Sequence, residues 1–84
     1  MKRKTDSSTY YVHDLAYIVI DLMREAKRDR DSYPKGTEER SFEEGQVFAF
    51  CEVLVFMVNQ AEAFGMKLED VGLDKIDPDR EMVT

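Results

Sequence analysis

The chain has 84 residues, 43% hydrophobic and 36% charged, with a formal net charge of −6 and a pI near 4.7. That length suits one domain with a thin core. The acidic balance argues against duplex nucleic acid or an anionic membrane as main partner, because phosphate contacts need a cationic surface. A lone cysteine, Cys51, allows no internal disulfide and fits a reducing, cytoplasmic setting.

Met1-Lys2-Arg3-Lys4 is a short basic start followed at once by Thr5-Asp6-Ser7-Ser8-Thr9. Polar residues there replace the apolar core of a secretory signal, and residues 1–7 are expected to form a flexible basic tail. Residues 8–84 are expected to form one helical-hairpin domain. Its first helix is predicted over about 8–30: Ser7, Ser8 and Thr9 offer N-cap oxygens, and no Pro or Gly occurs before Pro34. At about 100° per residue, Tyr11, Leu15, Ile18, Val19, Leu22 and Ala26 share a face, which is expected to be the core stripe. Pro34 and Gly36 mark a loop over 31–40.

The second helix is predicted over about 41–64. Ser41-Phe42-Glu43-Glu44 has the form of a capping box, and Gly65 stands where a left-handed residue closes a helix. The appendage, 65–84, contains Leu68-Glu69-Asp70-Val71, a turn ended by Gly72, and Asp77-Pro78, an N-cap and N1 pair. Met66, Leu68, Val71, Leu73 and Ile76 are apolar, so the appendage is expected to lie across the hairpin.

Val47 to Val58 is an apolar run broken by Glu52. It is too short to span a membrane, which needs about 20 apolar residues. Val47, Leu54 and Ala61 recur every seven residues, as do Phe50, Met57 and Phe64, and Cys51 and Val58 widen that stripe. Phe48, Val53, Val55 and Phe56 lie elsewhere on the same helix. A helix apolar all round must be covered all round, and a second copy of the chain would supply the cover. The expected fold is therefore all-α: a two-helix antiparallel hairpin with a short C-terminal helical appendage, dimerising into a four-helix bundle. Phe48, Glu52, Val55, Phe56 and Asn59 are the expected interface or core residues. Glu52 shares a polar seam with Gly45 and Asn59, where it would set register or serve as a ligand carboxylate.

Candidate chemistry is sparse. Asp14, Asp21 and Glu25 line one row of the first helix and, with a further carboxylate, would suit a hard cation. Arg24 and Arg28 at i+3 also read as ordinary ion-pair partners. His13 is the only histidine, which rules out a two-histidine metal site within one chain, and Cys51 sits mid-helix on an apolar stripe. Tyr10, Tyr17 and Ile20, on the other side of the first helix, are expected either to form a partner surface or to pack under the C-terminal segment. The expectation is a non-catalytic protein–protein interaction or regulatory module, homodimeric, without cofactor, contacting another protein. The alternatives are a Mg²⁺- or Mn²⁺-dependent small hydrolase using the acidic row, and a small-molecule binder at the dimer interface.

Overall fold

Two long helices carry most of the chain, α1 (Ser7–Asp31) and α2 (Glu38–Ala63), packed against each other as a hairpin. A 3₁₀ turn (Leu68–Val71) and a short helix, α3 (Pro78–Val83), complete the C-terminal segment. This computed structural model describes residues 7–84, so the basic start at 1–6 lies outside the described residues. No helix among the described residues is long and apolar enough to cross a membrane.

Local hydrogen bonding fixes the ends of the elements. At the close of α1, Ser32 N–H donates to the Arg28 carbonyl (3.2 Å) and Tyr33 N–H to the Arg30 carbonyl (3.2 Å). The second helix opens at Thr37, not at Ser41. Thr37 has extended backbone, and its Oγ1 accepts from Arg40 N–H at 3.2 Å. Glu38 and Glu39 then face the positive end of the helix dipole. Nothing in Arg40 or Ser41 resists helical geometry, so this earlier cap wins, and Glu44 pairs with Arg40 Nε (3.3 Å) instead of reaching back to a cap.

The far end of α2 closes in a Schellman motif. Gly65 adopts φ +69°, its N–H donates to Glu62 (3.0 Å), and Met66 N–H donates to Ala61 (2.8 Å). Asp77 caps α3 through Oδ1, which accepts from Arg80 N–H at 3.3 Å, with Pro78 at the first position.

The core is built from Ala16, Ile20, Met23 and Ala26 of α1, Val47, Cys51, Leu54 and Ala61 of α2, and Val71 and Leu73 of the C-terminal segment. Val12, Val19, Phe50, Met57 and Ile76 flank it. The α1 stripe is therefore rotated from the expected one. Of the six residues predicted to face inward, Ala26 is buried and Val19 packs beside the core, whereas Tyr11, Leu15, Ile18 and Leu22 are exposed. Ile20, expected on a partner surface, is only 7% exposed. The cause is the C-terminal segment. It runs along one side of the hairpin and covers Ile20 with Gly72 and Ile76, which draws the Ile20–Met23 side of α1 inward. Phe64, expected on the α2 stripe, lies at the helix cap beyond Ala63 and is 77% exposed.

Gly72 lets this segment approach α1 closely. It has φ +75°, and a Cβ there would stand 3.1 Å from the His13 carbonyl oxygen. At the other end, Lys27 Nζ donates to Glu81 Oε1 (2.6 Å) and Thr84 Oγ1 (2.8 Å).

Arg40 ties the hairpin loop together. Its Nη1 donates to the carbonyls of Arg30 (3.3 Å) and Tyr33 (3.2 Å), supplying partners to the frayed end of α1. Nearby, the Arg30 Nε hydrogen bond to Asp31 (2.8 Å) holds that carboxyl below its ordinary range. A depressed carboxylate contributes stability above its unfolded pKa and loses it as pH falls through the folded value. Arg40→Ala is expected to destabilise the fold by about 1 kcal/mol, the net worth of a hydrogen bond to the partly buried Arg30 carbonyl with a smaller share from the exposed Tyr33 carbonyl. Urea denaturation measures it; an unchanged midpoint would mean that water replaces the guanidinium without loss.

Candidate interaction surface

A helical hairpin has two long grooves, one on each side of the plane through its axes. The C-terminal segment fills one. The other is open and apolar, a groove of about 400 Å³ lined by Leu15 of α1, by Val53, Phe56 and Phe64 of α2, and at its end by Met66 and Val71. Tyr11, Leu15, Ile18 and Leu22 stand at i, i+4, i+7 and i+11, so they form one exposed row along α1, of which Leu15 lines this groove. Tyr11 is 69% exposed and Phe56 62%. This side is referred to below as the tail-free face.

The residues expected at an interface do not all share it. Phe56 lies on the tail-free face. Phe48 lies on the opposite side, beside Met82 and Val83, and Val55 is half-buried. Glu52 and Asn59 are exposed on the outer ridge of α2, away from the buried Leu54. Tyr10 and Tyr17 are also exposed, on the α1 side nearer the C-terminal segment. Tyr17 makes an edge-to-face contact with His13, with ring centroids 4.6 Å apart. The row Tyr11–Leu15–Ile18–Leu22, read from sequence as core, is the feature that sequence reasoning misplaced. Its signal was present: the apolar arc of α1 is wider than one packing partner can cover.

The groups with intrinsic reactivity are poorly placed for chemistry. Cys51 is fully buried, and desolvation raises its thiol pKa, so the nucleophilic thiolate is disfavoured. His13 is half-buried between Tyr17 and the Gly72 backbone, and its Nδ1 is 3.9 Å from Asp14 Oδ1. Asp14, Asp21 and Glu25 are exposed. Among the described residues no group of three or more His, Cys, Asp or Glu side chains is arranged to hold a metal ion. A cleft between α1 and the C-terminal segment, lined by Tyr17, Asp21, Arg24, Asp74 and Lys75, carries both signs of charge over a partly apolar floor.

Comparison of the chain with models of protein families, with curated proteins and with solved structures gives no match.

Two measurements test this chemical reading. Cys51 is expected to resist a thiol reagent in the native state and to react on addition of denaturant, because access requires opening of the core; rapid native labelling would mark it as accessible and reactive. Titration with Mg²⁺ or Mn²⁺ is expected to leave the melting temperature unchanged. A saturable rise that disappears on combining Asp21→Asn with Glu25→Gln would instead support the hydrolase alternative.

Proposed function

We propose that the protein is a non-catalytic protein–protein interaction module whose working surface is the tail-free face, and that two copies close through this face into a four-helix bundle. The supporting observation is the unequal treatment of the two grooves. One is covered by Gly72, Ile76 and Met82 of the chain's own C-terminal segment, while the other keeps Tyr11, Leu15, Ile18, Leu22, Val53 and Phe56 in contact with solvent.

Size favours an interface over incidental exposure. Aromatic side chains offer roughly 150–250 Å² each, and together these residues with Phe64 expose on the order of 800 Å², the scale of one partner's share of a standard-size interface. Contiguous apolar patches beyond a few hundred Å² are uncommon on proteins that remain single. The hairpin shape suits closure as well, since two antiparallel pairs related by a two-fold axis make an ordinary bundle.

Sedimentation equilibrium is expected to return about twice the 9.8 kDa chain mass at micromolar concentration. Phe56→Ser and Ile18→Ser each remove an exposed apolar contact and leave the core untouched. Both are expected to yield a monomer with unchanged helicity by circular dichroism. A wild-type chain that is monomeric at full helicity would refute the four-helix assembly.

A further inference from the structure

Carboxylates outnumber cations along the rim of the tail-free face. At about 100° per residue, Asp14, Glu25 and Asp29 fall on the α1 row that contains Ile18, along its outer edge. On α2, Glu52 stands one turn before Phe56, and Glu38 lies on the same row further toward the loop. All five carboxylates are exposed. Most cations of the two helices are directed elsewhere. Lys27 and Arg30 bond Glu81 and Thr84 of the C-terminal segment, and Arg40 is held by the Arg30 and Tyr33 carbonyls. Arg24 lines the cleft on the opposite side, and Arg28 stands at i+3 from Glu25 on the outer ridge of α1, about 80° round the helix from Ile18.

An apolar groove with an acidic rim is imperfectly matched by its own copy. Two such faces meeting would set carboxylates against carboxylates, and like charges across an interface oppose association. A segment carrying an apolar stripe between Lys or Arg residues would satisfy both the groove and the rim. The exposed row from Tyr11 to Leu22 is about 17 Å long at 1.5 Å per residue, room for about three turns of a docked helix. We propose that the preferred occupant of the tail-free face is an amphipathic helix with basic flanks, which displaces the second copy. This rests on the interaction-module reading above and names its partner chemistry.

The test uses the full chain and three synthetic peptides of ~18 residues, long enough for four to five turns. One has a Leu/Phe stripe flanked by Lys and Arg, the second has the same stripe flanked by Glu, and the third is a shuffled form of the first without a stripe. Fluorescence anisotropy reads binding and sedimentation reads stoichiometry. The basic amphipathic peptide is expected to bind one per protomer, to convert the dimer to a protomer–peptide complex, and to weaken with added salt as the Debye length shrinks to about 3 Å at 1 M. Combining Glu25→Gln with Glu52→Gln is expected to weaken it about 3- to 10-fold at low salt, the scale of two exposed charge contacts. Phe56→Ser is expected to weaken it further while helicity is kept, with Ile18→Ser as the second variant if Phe56→Ser does not fold. Equal binding of the Glu-flanked or the shuffled peptide would overturn the proposal, because the face would then select no charge or no stripe. If no peptide binds while Phe56→Ser still splits the dimer, the partner chemistry is wrong and the working face stands. If these serine variants change neither peptide binding nor mass, the face itself is wrong.

Discussion

The insertion of Val71 and Leu73 between the two long helices governs the rest of the molecule. Both side chains are fully buried, and burial of a residue of that size is worth about 1.5–3 kcal/mol. The polar ties of the same segment, Lys27 with Glu81 and Arg30 with Thr84, lie nearer solvent, where such contacts contribute about 0–1 kcal/mol each. Apolar insertion therefore holds the segment in place and the ion pair orients its end. Because the chain beyond Val71 then runs along one groove only, it decides which sides of α1 and α2 face protein and which face water. Gly72 is the backbone condition for it: a side chain at φ +75° would be strained and would press on the His13 carbonyl.

The open groove follows from that asymmetry. The C-terminal segment lies along one side of the hairpin, and among the described residues nothing covers Leu15, Ile18, Leu22 and Phe56 on the other. The carboxylates along the rim have two physical effects. They keep an apolar surface hydrated, and they oppose association with any partner of the same sign. A surface of this kind would select by charge as well as by shape, which is the basis for proposing a basic amphipathic partner. The mixed-charge cleft beside Tyr17 differs in character, since neither an apolar stripe nor one sign of charge dominates it.

The reactive groups fit the same picture. Cys51 fills core volume beside Leu54, and its raised pKa is a consequence of that burial. His13 serves the junction where the C-terminal segment meets α1, packed between an aromatic ring and a glycine backbone. The acidic row of α1 stays in solvent instead of converging on a second helix. Cys51 and His13 thus have structural occupations, and the proposed non-catalytic reading draws on that.

What the sequence by itself determined was the local part of the structure. Pro34 and Gly36 break the helices, Gly65 closes α2 through bonds to Glu62 and Ala61, and Asp77-Pro78 starts α3, because each depends on backbone geometry and hydrogen bonds within a few residues. The buried positions Val47, Leu54 and Ala61 were legible too, since heptad spacing puts them on one line. One local feature misled: Thr37 and Ser41 both offered caps, and competition between neighbouring caps depends on the loop that delivers the chain. Only the tertiary structure decided which side of α1 is interior. Ile20 and Met23 on one side and Leu15 and Leu22 on the other are equally apolar, so periodicity within α1 does not choose between them. The choice was made by the segment from Gly72 to Ile76, remote in sequence, which lies beside Ile20 and leaves Leu15, Ile18 and Leu22 exposed.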